Sequence, residues 1–352
     1  MNLQNPKKFR MLIDQAHEVA LNVLRPISRK YDKAEHAYPK ELDMLSSLVD
    51  GMNESGDGIN AGAAVNKRGG ADSANKNGVN MSTALSIVEM CYGDTGLLLS
   101  MPRQGLGNSA IATVANDEQL ERFRGTWAAM AITEPGCGSD SAAIRTTAVK
   151  DGDDYILNGE KIFVTSGERA DAVVVWASLD RKSGRAAIKS FVVPKGTVGM
   201  KVERLEHKLG IKASDTAAIS LIDCRVPAAN LLGNAEIDPA KSFAGVMETF
   251  NNTRPLVAAM AVGCAKASLE RIKEIFKDEL DAGYATPYLQ TSNIAAQIYR
   301  LEAEWETARL LMLKAAWMAD NKQPNSREAS IAKAKAGRVG NEITLKCVEL
   351  AA

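Results

Sequence analysis

The stretch MAITEPGCGSD, residues 130–140, decides how this chain is read. It starts apolar, passes a Glu-Pro pair, brackets a cysteine with two glycines and closes on Ser-Asp. Few of these side chains can do chemistry, and many are conformational specialists. One reading is a surface turn: Gly136 and Gly138 supply unusual φ and Asp140 caps the bend. The other is an anion nest, in which the two glycines let backbone N–H groups approach a diphosphate and Ser139 adds a hydroxyl. Thr133 before the bend and Thr165 at a downstream strand end place two more hydroxyls where they can line the polar edge of a flat heterocycle.

The sequence changes character on either side of this stretch. Upstream, Leu12, Ile13, Ala16, Val19, Ala20 and Val23 recur at a helical period, and residues 7–50 read as helix. Pro39 is placed to open a second helix. Helical pattern returns at MSTALSIVEMCYG and at 103–124. Residues 51–80 are rich in Gly, Asn and Asp and are expected to form a flexible loop. Downstream come short runs rich in β-branched residues, DDYILNGEKIFVTSG, ADAVVVWASLD, AIKSFVVPKG and TAAISLIDCRVP. They are expected to form a small β domain, with Asn158-Gly159 as a hairpin turn. After about residue 238 the chain is helical again. Pro255 is expected to kink a helix or start a new one. A last helix opens at Ser326 with Ala329, Ala332, Ala336 and Val339 on one face. The expected class is α+β: an amino-terminal helical domain (1–128), a middle β-barrel or orthogonal-sheet domain (129–237) and a carboxyl-terminal helical bundle (238–352).

The chain has 352 residues, with 43 Lys plus Arg against 43 Asp plus Glu, a formal net charge of zero. That balance argues against a dedicated nucleic-acid or polybasic membrane binder, while leaving room for a local basic pocket. The five cysteines are scattered, and none forms C-x-x-C, as suits a reducing cytoplasm. Three histidines leave no histidine-rich metal site, and no metal is expected. No integral membrane segment or targeting segment is expected. GCGSDS at 136–141 lacks the third glycine of a dinucleotide fingerprint and is followed by strand, so a Rossmann site is disfavoured. No Walker lysine loop and no nucleophile elbow occur.

The order T-E-P-G-x-G-S-D, strands, then N-G-x-K-x-[WF]-[IV]-T resembles the flavin-binding core of the acyl-CoA dehydrogenases. SIVEMCYGDTG, LGIKASDTAAISLIDCRVPAANLLG, FNNTRPLVAAMAVGCAKASLE and REASIAKAKAGRVGNE resemble further blocks of that family, in the same order. The resemblance implies FAD as cofactor and an acyl-CoA thioester as substrate, oxidised to the trans-2-enoyl-CoA in fatty acid β-oxidation. It implies an electron-transfer flavoprotein as acceptor and a homodimer or homotetramer. It places the backbone of Met130, Ala131, Ile132 and Thr133, and of Phe163, Val164 and Thr165, against the flavin ring. Gly136, Gly138 and Ser139 fall at the pyrophosphate. Ser139, Asn251, Asn252, Thr253 and Arg254 fall along the substrate. Phe163 stands where many members have tryptophan and can still shield a ring face. Cys137 reads as a spacer, Cys264 and Cys347 as core residues. Glu89 reads either as a residue at the far end of the acyl pocket or as a structural carboxylate.

The family's base is a glutamate in a carboxyl-terminal E-G-T-like turn, or else directly before the arginine matched by Arg254. Here KCVELAA precedes any such turn, and Thr253 holds the second position. Glu248 is more than a turn away, about 9 Å of rise. No catalytic residue is therefore identified, and a shortened, impaired chain is expected. In the flavin contacts expected from a neighbouring subunit, Tyr284 and Gln290 match the family's Phe and Gln, and Asp281 stands in place of its Arg. Two alternatives stay open: a non-catalytic flavoprotein subunit of a hetero-oligomer, and a flavin monooxygenase or oxidase on the same fold.

Overall fold

The structure is a computed structural model that describes residues 7–54, 78–103, 105–238, 244–285 and 292–352, with backbone alone at 48–54, 244–246, 248 and 282–285. Helices α1 (Arg10–Val19) and α2 (Arg25–Lys33) are joined by a π-helical turn, Ala20–Leu24. They are followed by α3 (Glu41–Glu54), α4 (Val79–Gly93), α5 (Thr95–Leu99), α6 (Leu106–Val114) and α7 (Asp117–Arg122). Residues 51–54 continue α3 and Val79 opens α4, so helix takes both ends of the loop expected at 51–80. Residues 55–77 lie outside the described residues.

The middle of the chain forms one seven-stranded sheet: β1 (Ala128–Ala131), β2 (Thr147–Asp151), β3 (Asp154–Thr165), β4 (Ala172–Ser178), β5 (Ile188–Pro194), β6 (Met200–Leu205) and β7 (Thr216–Pro227). The order is β1-β4-β2-β3-β7-β6, with β5 antiparallel along the whole of β4. β1 runs parallel to β4, and β2 touches the far end of β4 at Thr147 opposite Ser178. Strand β4 is buried at every residue. Val173, Val175 and Ala177 pack inside the curled sheet, while Ala172, Val174 and Trp176 meet Ala110 and Ile111 of α6. Burial on both faces explains its unbroken apolar run.

Asn158-Gly159 is not a hairpin turn; the pair lies inside β3. There Ile222 and Asp223 of β7 oppose Asn158 alone, a bulge fastened by Asn158 and Asp223 through hydrogen bonds of 3.2 and 2.8 Å. Glycine is needed at 159 because a Cβ would stand 2.4 Å from Thr146 Oγ1. The hairpin turn is instead Gly152-Asp153, with Gly152 at φ 59° and Asp151 paired to Asp154. Asn-Gly tolerates positive φ in either setting, so local chemistry did not separate turn from bulge.

The carboxyl-terminal region is α8 (Ala244–Ile275), α9 (Lys277–Ala285), α10 (Asn293–Asp320) and α11 (Ser326–Ala351). Pro255 lies within α8 without ending it. Ala329, Ala332, Ala336 and Val339 are buried along one face of α11. Amino- and carboxyl-terminal helices share one core, in which Ala84, Ile87 and Met90 of α4 meet Ala259 and Val262 of α8 and Met312 of α10. The Asp320 carboxylate at the end of α10 caps α4 from outside, accepting the N–H groups of Gly78 (2.7 Å), Asn80 (2.9 Å) and Met81 (3.0 Å). The architecture is α+β, with helices on both sides of a middle curled sheet. Helix α6 approaches β1 so closely that a Cβ on Gly107 would lie 2.2 Å from the Ala129 carbonyl oxygen. That contact brings Leu106 to the rim of the cleft described next.

Candidate functional site

The bend after β1 is a four-residue turn. Glu134 N–H donates to the Cys137 carbonyl (3.0 Å) and Cys137 N–H to the Glu134 carbonyl (3.1 Å). Neither Gly136 nor Gly138 adopts positive φ, and a Cβ on either would meet nothing, so the unusual φ expected of them is absent. Cys137 is buried inside the turn, and burial pushes its thiol above the ordinary value.

What fixes the turn is Glu134. Its carboxylate is buried and accepts from Arg145 N–H (2.6 Å), Thr146 N–H (2.9 Å), Thr146 Oγ1 (2.6 Å) and Lys161 Nζ (2.8 Å). Lys161 is fully buried in β3 and also donates to the Ile132 carbonyl at 3.2 Å. Burial alone would raise the Glu134 carboxyl, but the Lys161 ammonium and the converging donors hold it below its usual value. Burial pushes the Lys161 ammonium down. The pair is the seam between the two halves of the motif. Beside it Ile162 N–H donates to the Thr133 carbonyl at 2.9 Å.

Two residues beyond Lys161 the strand bulges, Ile162 and Phe163 opposing Ala218 alone. Phe163 has φ 57° and leaves 61% of its surface exposed. A left-handed backbone at a bulky residue is uncommon, and such bulges re-aim a side chain. Phe163 faces a cleft of about 830 Å³ between the sheet and helices α8 and α11. Thr133, Ser139 and Thr165 line it, and none of these hydroxyls has a hydrogen-bond partner among the described residues. Met130, Ile132, Gly138, Thr253 and Arg254 line it as well. Ala131 and Val164 turn their side chains into the sheet's interior, leaving only main chain to offer. Gly136, Asn251 and Asn252 do not line the cleft. Asn251 instead accepts from Arg254 Nη1 at 3.3 Å, which also reaches Ser330 Oγ at 3.4 Å.

Among the lining residues missed in the sequence are Phe250, under the Arg254 guanidinium at 5.4 Å, and the cations Arg185 and Lys333. No carboxylate pairs with Arg185, Arg254 or Lys333 among the described residues, and Asp140 is the single carboxylate on the lining. Arg185 and Lys333 are ordinary surface cations in the sequence; only the cleft that both line marks them. Glu89 lies elsewhere, buried among helices with Lys266 Nζ at 2.7 Å and His17 Nδ1 at 2.8 Å. It does not line this cleft, and its contacts are those of a carboxylate that ties α4 to α1 and α8. Asp281 is exposed and pairs with Lys277. Gln290 and the side chains of Tyr284 and Glu248 lie outside what is described.

A curled sheet flanked by helices, with a hydroxyl-lined and cation-rimmed cleft behind an exposed aromatic, defines the class. Residues 129–224 match the model for the acyl-CoA dehydrogenase middle domain, and residues 243–352 that for the acyl-CoA dehydrogenase C-terminal domain. The short-chain specific acyl-CoA dehydrogenase of Rattus norvegicus mitochondria is 30% identical, over 99% of this chain and 82% of that one. The short-chain specific acyl-CoA dehydrogenase of Clostridium acetobutylicum is also 30% identical, covering 99% and 89%. Butyryl-CoA dehydrogenase from Megasphaera elsdenii superposes with a TM-score of 0.81 at 28% identity, covering 99% of this chain and 89% of that one. This chain belongs to the acyl-CoA dehydrogenase family. It is an oxidoreductase acting on CH–CH donors, and the family is FAD-dependent.

Proposed function

We propose that this cleft is where FAD and an acyl-CoA thioester meet for α,β-dehydrogenation. The observation that carries the reading is the convergence in one cleft of exposed Phe163 with the Thr133, Ser139 and Thr165 hydroxyls, which have no partner among the described residues. Thr133 and Thr165 are placed to bond the polar edges of a flat ring system, and Phe163 to cover one of its faces. Ser139 and the exposed turn are placed for a diphosphate. Arg254, Arg185 and Lys333 offer charge to the phosphates of a CoA ester, Arg254 in a fork suited to two oxygens. Thr253 and Phe250 face the same space from α8. FAD, when bound, supplies the redox chemistry by taking up the hydride from the β-carbon. The protein's own part is to align the thioester and polarise its carbonyl so that the α-proton can leave. Asp140 is exposed on the turn, and we assign no base. Residues 129–237 act as the flavin-binding unit in this reading.

A short acyl chain is the first substrate to test, in line with the short-chain specific relatives. An electron-transferring flavoprotein is the proposed acceptor. A related chain, 33% identical, is a subunit of the caffeyl-CoA reductase–Etf complex of Acetobacterium woodii, covering 73% of this chain and 68% of that one. We further propose a homo-oligomer in the cytoplasm. Free cysteines at all five positions fit a reducing compartment. No helix among the described residues is long and apolar enough to cross a membrane.

The test is purification, a flavin spectrum, and anaerobic titration with butyryl-CoA and longer acyl-CoAs. Retained FAD whose visible band shifts or bleaches on adding the short thioester supports the reading. A protein that takes up no FAD, or whose flavin is indifferent to every thioester, overturns it.

A further inference from the structure

Away from the cleft, the connection between α2 and α3 meets the connection between β6 and β7. Glu35, His36 and His207 come together there, with one ligand atom from each lying within 4.8 Å of the others. From the Glu35, His36 and His207 geometry we infer a binding site for one divalent transition ion of the zinc type.

The donor set is two imidazoles and a carboxylate, which suits zinc and its neighbours and not the all-oxygen preference of magnesium or calcium. Glu35 Oε2 and His207 Nδ1 are already 3.0 Å apart, in a hydrogen bond whose proton an ion can replace. The other oxygen, Oε1, is held by the Lys208 N–H at 2.9 Å, so Oε2 is left to face the histidine. His36 is the third ligand. Both its ring nitrogens are buried, and neither has a hydrogen-bond partner among the described residues, an arrangement that calls for an explanation.

The backbone beneath His36 is built to hold it. His36 has φ 67°, a left-handed conformation. Arg169 fastens that bend, donating to the His36 carbonyl at 3.1 Å and the Ala37 carbonyl at 2.9 Å. Arg169 is itself anchored by the fully buried Asp215 at 3.4 Å. These contacts orient the ligands before any ion arrives, as outer-shell groups do in metal sites. Of the nearby cations, Arg169 is engaged with those carbonyls and Asp215, and Lys208 Nζ with Ser214 and Thr216, while Lys212 adds its charge near Glu35. His207 is exposed, so the ion keeps an open position for water. Its role is to pin the α2–α3 connection to the sheet.

The experiment uses the full chain as purified, stripped with chelator and dialysed. Zinc is titrated by calorimetry, and cobalt(II) is added separately for its visible spectrum. One zinc per chain is expected, with tetrahedral cobalt bands and a rise in melting temperature, while magnesium and calcium change nothing. Affinity is expected to fall at least about tenfold in His207→Ala and in Glu35→Gln. His36→Asn keeps a residue that tolerates the left-handed backbone and is expected to lose affinity equally without loss of fold. No heat and no cobalt spectrum overturns the site. So does zinc binding undiminished in these variants, or a thiolate charge-transfer band, which places the ion on a cysteine.

Discussion

Lys161 Nζ lies 2.8 Å from Glu134 Oε1, and neither side chain reaches solvent to a useful degree. The two residues belong to different halves of the motif, so their contact fastens the turn after β1 to the strand that carries Phe163 and Thr165. Removing one partner leaves a buried charge without compensation, which typically costs about 3–5 kcal/mol. Lys161→Met and Glu134→Gln are each expected to lower the unfolding free energy, measured by urea denaturation, by an amount in that range. The double variant is expected to recover part of the loss, because replacing both charges leaves no orphan. Equal losses that simply add would show that the pair is not a unit.

The same carboxylate predicts an acid limb in stability. The folded Glu134 lies below its ordinary value, while the unfolded residue titrates near about 4.3. The unfolded state therefore binds the proton first, and stability falls as pH drops from the unfolded pKa through the folded one. Above the unfolded pKa the contribution is fully present. Unfolding free energy measured from pH 7 down into the acid range is expected to decline more steeply in the parent than in Glu134→Gln. Parallel curves would remove Glu134 as the cause.

Phe163 separates folding from function. Its φ of 57° is strained for phenylalanine, and its ring is mostly exposed. Phe163→Gly relieves the backbone but adds freedom to the unfolded chain, so stability is expected to change by no more than about 1 kcal/mol. Flavin retention, measured as FAD per chain after gel filtration, is expected to fall sharply. A stable variant with full FAD content would mean that the ring does not cover the cofactor.

The helices, strands and their order are legible in the sequence because each rests on local periodicity, as in the buried stripe Ala329, Ala332, Ala336 and Val339. The hydroxyls at 133, 139 and 165 are legible because the resemblance places them, and the fold brings all three to one cleft. Pairings over long separations are not legible. Glu134 and Lys161 are ordinary surface residue types until the sheet buries them together. Arg185 and Lys333 come from distant elements, and nothing local distinguishes them from solvated cations. Asn158-Gly159 shows the opposite failure: a strong local signal whose backbone freedom the fold uses in a bulge.

Asp320 tests the join between the two helical regions. Its carboxylate serves three N–H groups at the start of α4, whose own preceding residue, Gly78, has no side chain to do so. Asp320→Ala is expected to cost about 1–2 kcal/mol, as loss of a helix cap does. Asp320→Asn keeps one acceptor oxygen and is expected to lose less. Thermal unfolding of both variants checks the order, and an alanine variant as stable as the parent would remove the cap's role.

Arg254 carries the sharpest prediction about substrate. Its guanidinium sits over Phe250 and, among the described residues, donates only to the neutral oxygens of Asn251 and Ser330, so its charge is available to the cleft. A charge-assisted hydrogen bond to a CoA ester contributes about 1.5–3 kcal/mol, which is roughly a 10- to 150-fold change in affinity. Arg254→Ala is expected to weaken acyl-CoA binding by that factor while leaving FAD content and melting temperature close to the parent, since no buried ion pair is broken. Arg254→Lys keeps the charge but not the planar fork and is expected to fall between the two. Flavin-band titration with butyryl-CoA measures all three. If alanine binds the thioester as tightly as arginine does, the substrate does not run along α8.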